Sequence, residues 1–311
     1  MKSYKILLYQ PELPLGNIPL NLLQSLLTLL KDGSEKNLRL LLERRSEGAG
    51  DRQWIETATN FIVEFDRFKP GESEISVKCS PLQEINAQPE ELEEYEQLSS
   101  TLNLNLTSLD YFQQTLKGLM NRQLHSLVYD RSLIRLFKRF IATLNENQAT
   151  VQFMFDSPLC LNPENGQIFS DIESAIPQSN HVRIGGYLQK IQPMTDSFLL
   201  CLTDKQTISV NLDPKSLISS KNLLNKPVIL EGMAHYMANE SLLRVDVDSI
   251  FSATETEMTQ WSQLPKPLYS NFNFSELYVP QTPETGLGGI FGQWPGTETD
   301  EEIEAYLEEL S

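Results

Sequence analysis

The sequence predicts a mixed α+β chain whose second half holds a small β-barrel and whose end is an acidic arm. Three observations carry this. Helical and strand periodicities alternate over the first half. Five strand-like runs crowd between 181 and 251. After 251, eleven acids stand against one base, Lys266, a net charge of −10 out of −17 for the whole chain.

The elements follow in order. Residues 5–9 read as a strand ended by Pro11 and Pro14. Over 18–31, Leu20, Leu23, Leu26, Leu27 and Leu30 share a helical face, and Asp32-Gly33 is expected to close that helix. Residues 38–43 are short, apolar and charge-bounded, the pattern of a buried strand. Helical turns are expected at 54–59. Strands at 61–65 and 75–79 are joined through Lys69-Pro70-Gly71, a strong turn signal. An acidic helix over 89–98, a longer helix over 108–126 and another over 130–145 precede a strand at 151–155. The helix over 130–145 buries Leu133, Leu136, Phe137, Phe140, Ile141 and Leu144. Together these make an α+β domain over 1–157, an ordinary domain size. The prolines and the Asn165-Gly166 pair in 158–180 mark a linker.

Residues 181–251 are the most legible part. A long strand (182–191), a hairpin (198–202 and 207–212, around Asp204-Lys205), a helix (214–224) and two more strands (228–236 and 242–250) follow in turn. Three strands, a helix, then two strands is the order of a five-stranded OB-like barrel. Gly185-Gly186 offers a place for the first strand to bend so that it serves both sides of the barrel. Beyond 251 the prolines at 265, 267, 280, 283 and 295 break every period, so 252–311 reads as an extended arm. The arm ends in a short helix, with Thr299 and Glu302 in capping-box spacing and Ile303, Tyr306, Leu307 and Leu310 on one stripe.

Composition narrows the function. Cys79, Cys160 and Cys201 are few, odd in number and widely spaced, unlike a disulfide scaffold or a zinc site. Together with an N-terminus that lacks a signal-peptide core, they fit a reducing cytoplasm. His125, His181 and His235 show no ligand spacing, and no phosphate loop, nucleophile elbow or paired-carboxylate signature is present, so no enzyme, metal or cofactor is expected. Asp246 and Asp248 share one face of the last barrel strand, read as exposed polar residues rather than ion ligands. Arg39, Arg44, Arg45 and Arg52 form a small basic cluster, read as surface ion pairs rather than an anion loop. The barrel could take single-stranded nucleic acid on Tyr187, Phe198 and Tyr236, as aromatic platforms do. Its seven bases and seven acids leave no positive surplus, and core packing is the preferred reading of those rings.

Two resemblances add to this. Leu-Leu-Leu-Glu-Arg-Arg-Ser before Trp54, and the 182–250 segment with its Gly-Tyr-Leu, Leu-Thr-Asp-Lys, Leu-Leu-Asn-Lys-Pro-Val and Glu-Gly-Met-Ala pieces, resemble an uncharacterised bacterial two-domain family. The strip Phe291-Gly292-Gln293-Trp294-Pro295-Gly296, followed by Thr299-Asp300-Glu301-Glu302-Ile303, resembles the toxin-binding segment of type II antitoxins paired with PIN-domain ribonucleases. That resemblance implies an antitoxin-like protein whose partner is a small basic nuclease. Ile290, Phe291 and Trp294 would anchor in its pockets. Ile303, Tyr306 and Leu307 would cover an apolar groove, and Glu301, Glu302 and Glu304 would face its bases. Such antitoxins commonly begin with a DNA-binding module and often place an arginine near the toxin's metal-binding acids. The body here shows no such module, and no arginine follows Arg244.

Overall fold

In a computed structural model of the chain, residues 1–11, 14, 17–47, 53–85, 102–155, 157–192, 197–212, 221–268 and 299 are described. Met1–Leu268 forms one compact unit and Tyr269–Ser311 a second. The first unit mixes helices and sheets, with an α/β region followed by a closed five-stranded barrel.

The N-terminal sheet contains β1 (Lys2–Tyr9), β2 (Ile62–Lys69), β3 (Glu72–Cys79), β4 (Thr150–Met154) and β5 (Leu159–Leu161). Their order is β2-β3-β1-β4-β5 and every pairing is antiparallel. Alternation sets the two faces. Tyr4, Ile6, Leu8, Ile75, Val77, Val151 and Phe153 are buried under helices. The other face carries cross-strand ion pairs such as Lys5 with Glu74 and Lys78 with Glu64. The covering helices are α1 (Leu20–Glu43), α2 (Gln53–Ala58), α3 (Ser108–Met120), α4 (Arg131–Glu146) and α5 (Gly166–Ala175).

Several expectations are corrected here. Asp32-Gly33 does not end α1, which runs unbroken to Glu43, so residues 38–43 are helix rather than strand. Gly33 lies where α1 crosses α3, and a Cβ there would come 2.6 Å from the Phe112 ring. The glycine serves close approach, and the apolar stripe continues through it to Leu40. The helix stops instead at Arg44, whose backbone is left-handed (φ 58°) and whose N–H donates to Leu40 O. The helix expected to reach residue 126 ends at Met120, and Leu124–Ser126 is a single 3-10 turn. The stretch expected as a linker, 158–180, holds β5 and α5, and its Phe169, Ile172 and Ile176 sit in the first core. The helix expected over 89–98 lies outside the described residues.

The barrel is built from β6 (Asn180–Gln192), β7 (Ser197–Cys201), β8 (Thr207–Leu212), β9 (Pro227–Tyr236) and β10 (Leu242–Ser252), in the closed order β10-β8-β7-β6-β9. All pairings are antiparallel except β8 with β10, which is parallel. The first strand does serve both neighbours: 180–187 pairs with β9 and 187–192 with β7. Gly185 lies just before that switch, but it is also needed for another reason. Its missing Cβ makes room for the Met258 carbonyl, which would lie 2.1 Å away. Met258 belongs to α6 (Glu255–Trp261), so the expected arm does not begin at 252: a capped helix comes first and packs on the barrel. Most of the helix expected over 214–224 lies outside the described residues, and 221–223 is a 3-10 turn.

Both halves of the first unit share packing. Leu243 is buried in the N-terminal core, and Met237 and Ala238 pack against that core. The Ala238 N–H donates to Tyr129 Oη (3.2 Å), and Arg244 Nη1 donates to the Arg44 carbonyl (3.1 Å).

Candidate functional site

A cleft of about 930 Å³ opens where α4 meets β9 and β10. One wall is the polar face of α4. Its apolar face buries Leu133, Ile134, Leu136, Phe137, Phe140, Ile141 and Leu144 in the core. The helix begins at Asp130, whose carboxylate accepts from Leu133 N–H and from both the N–H and the hydroxyl of Ser46. Fixed that way, α4 presents Arg131, Arg135, Lys138 and Arg139 to the cleft.

The charges are unevenly matched. Arg135 Nε and Lys138 Nζ both reach Glu173, at 2.8 and 2.6 Å. Those two hydrogen bonds hold the Glu173 carboxyl below its usual range, yet one carboxylate offsets only one of the two cations. Arg131 Nη2 donates to the Ile176 carbonyl (2.8 Å), and among the described residues neither Arg131 nor Arg139 pairs with a carboxylate. Glu47, on the rim, is already engaged by Ser132 and Lys36.

The opposite wall is a chain of hydrogen bonds on the barrel. Asp246 accepts from Arg244 Nε at 2.9 Å and Nη2 at 3.2 Å, from Asn211 Nδ2 at 3.2 Å, and faces His235 Nε2 at 2.8 Å. Burial works against its charge, but the His235 and Arg244 contacts outweigh it and keep the carboxyl well below the usual carboxylate range. An ionised carboxylate only accepts, so His235 presents a protonated Nε2 to Asp246. The Ser179 hydroxyl lies 2.9 Å from Nδ1 and donates to it in the tautomer that leaves that nitrogen unprotonated. Next to this chain Tyr236, only 2% exposed, also lines the cleft, and its buried hydroxyl has no hydrogen-bond partner of ordinary geometry. Burial raises its pKa. The adjacent Asn180 side chain tempers that shift, but the two make no hydrogen bond of ordinary geometry.

The expected site residues fare differently. Ile290, Phe291, Trp294, Glu301, Glu302, Ile303, Glu304, Tyr306 and Leu307 lie outside the described residues. Of the three rings considered for nucleic acid, Phe198 and Tyr236 are in the barrel core, where neither can offer a face to a base. Tyr187 is partly buried, with its hydroxyl 3.5 Å from Glu255. Asp246 and Asp248 point to different partners, Asp248 lying 3.5 Å from His181. Arg39 and Arg45 are ion-paired with Glu35 and Glu43. The cleft was the site missed. One signal for it existed: Arg131, Arg135, Lys138 and Arg139 fall on one helical face with no acid among them. The joining of that face to His235 and Tyr236 comes from packing between segments about a hundred residues apart.

Comparison of the chain with protein-family models, curated proteins and solved structures gave no match.

Proposed function

We propose that this is a non-enzymatic interaction protein, antitoxin-like, which neutralises a small basic ribonuclease of the PIN type through its C-terminal arm. The observation that carries this reading is the strip from Ile290 to Ile303, with its aromatic anchors and acidic helix pattern. It gains support from the division of the chain at Leu268, which sets Tyr269–Ser311 apart as a unit of its own. Inhibition would proceed by ordering the arm over the nuclease surface, with an entropic cost offset by apolar burial and charge pairing. A binding titration with the co-expressed nuclease tests it. Trp294→Ala and Tyr306→Glu should each weaken the complex at least about tenfold, the scale expected of a hot-spot anchor. Unchanged affinity for both would overturn the reading.

We further propose that the barrel is of the OB class. Counted within the barrel, its strands run 1-2-3-5-4 and close onto 1, with a parallel contact between the third and fifth. Fold alone does not assign a ligand. The groove of about 580 Å³ beside β8 is lined by residues that include Leu199, Lys205, Thr207, Ser209 and Leu264, and none of the described residues lining it is aromatic. Base stacking therefore has no platform there, which favours the interaction reading over nucleic-acid binding by the barrel.

A further inference from the structure

We infer that the cleft between α4 and the barrel is a binding site for a compact phosphorylated small molecule of about nucleotide size. Three observations converge. First, Arg131 and Arg139 project into it without carboxylate partners among the described residues, and Arg135 and Lys138 share a single carboxylate. On a chain of net charge −17 such a surplus is a departure from the general surface. Second, Tyr236 is among the lining residues, and its hydroxyl is buried without a hydrogen bond of ordinary geometry. A buried hydroxyl without a partner is destabilising, and an acceptor on a ligand would satisfy it. Third, the volume of about 930 Å³ lies within the range of small-molecule sites.

The residue types favour phosphate. Three of the four bases on α4 are arginines, whose planar forks match phosphate oxygens two at a time. The opposite wall is held rigid, because Arg244 spends its donors on Asp246 and on the Arg44 carbonyl. That leaves the cations of α4, with one carboxylate shared between Arg135 and Lys138, on one side and Tyr236 on the other, with the Ser179–His235 pair beside it to meet a sugar or further phosphate oxygen. A long nucleic acid strand is not the preferred occupant: among the described residues lining the cleft the only aromatic ring besides the imidazole of His235 is Tyr236, and its face is buried in the barrel.

Calorimetric titration of the full chain at low salt tests this with four probes: a nucleoside diphosphate, inorganic pyrophosphate, citrate and a single-stranded oligonucleotide. Saturable one-to-one binding of the diphosphate is expected, weakened by added salt. Pyrophosphate binding as tightly would show that phosphate alone is recognised; weaker pyrophosphate binding would show that the nucleoside contributes. Arg139→Gln, a change at an exposed position, should raise Kd about tenfold, the usual scale for losing a hydrogen bond to a charged group. Tyr236→Phe keeps the ring and removes only the hydroxyl, and should weaken binding about fivefold or more. The proposal is overturned if the diphosphate does not bind, if citrate binds equally well, if the oligonucleotide binds more tightly than the diphosphate, or if Arg139→Gln leaves Kd unchanged.

Discussion

Asp246 shows how one residue ties local chemistry to stability. It accepts from Arg244 twice and from Asn211, and it fixes the His235 tautomer. Its carboxyl is held well below the usual range in the folded state, while in the unfolded chain it titrates near the ordinary value of about 4. Near that pH the unfolded state binds more protons, so folding stability rises with pH. The contribution of Asp246 is therefore complete above about pH 5 and is lost as the pH falls through the unfolded value toward the depressed folded one. Its partial exposure lets solvent screen the pair, so the effect is modest. Replacing it by asparagine should flatten the acid limb of a plot of unfolding free energy against pH between about 5 and 2. Urea titrations across that range would show it, and an unchanged acid limb would remove Asp246 from the acid-sensitive groups.

At the scale of elements, α1 is the instructive case. Asp32-Gly33 is a good local stop signal, yet the helix passes through it because a tertiary contact wins over a local preference. Gly33 faces Phe112, and one turn later the Thr115 hydroxyl donates to Asn37 Oδ1 (2.9 Å) in the same buried seam. Gly33→Ala brings two opposing effects. Alanine raises intrinsic helix stability by about 1 kcal/mol, while forcing a methyl into a packed ring costs about 1–3 kcal/mol. Because the clash is with a fully buried phenylalanine that has little room to move, overpacking should dominate. The expected net loss is about 1 kcal/mol in equilibrium denaturation; a gain in stability would mean that Phe112 relaxes freely. Elements whose own residues define them were legible: β1, the β2–β3 hairpin, α4 and all five barrel strands follow from alternation, helical stripes and turn residues. The helix α6 was missed although its cap is written in the sequence: Thr254 and Glu257 have capping-box spacing and both halves of that box form. Proline-rich surroundings hid it. What could not be read were features that exist only between segments, namely the passage of α1 over α3 and the meeting of α4 with the barrel at the cleft.

The whole body, Met1–Leu268, poses a question of cooperativity. Sequence patterns divide it near residue 158, and each half has its own apolar cluster. The halves are nevertheless joined through buried groups. The stretch between them contributes β5 to the N-terminal sheet and α5 to its core, so little free chain separates the two. The turn between β9 and β10 then reaches back. Leu243 is only 5% exposed and lies in the N-terminal core, and the fully buried Tyr129 accepts from Ala238 N–H. Unfolding the barrel alone would expose Leu243 and leave the Tyr129 hydroxyl without that donor. It would also strip the Arg44 carbonyl, which ends α1, of its Arg244 partner. Each loss costs on the order of 1 kcal/mol or more, and together they couple two units that separately need only several kcal/mol to unfold. A 1–268 fragment should therefore unfold in one calorimetric transition, with calorimetric and van't Hoff enthalpies in agreement. Its midpoint should match that of the full chain within about 3 °C, since the buried groups that couple the two halves all lie within 1–268. Leu243→Ala discriminates further, because it truncates a barrel residue seated in the N-terminal core. It should lower the single midpoint by several degrees while keeping one transition, in line with about 2–4 kcal/mol for a buried leucine. Two separated transitions in the unmutated fragment would show that the halves fold independently and that the contacts at Leu243 and Tyr129 are too weak to couple them.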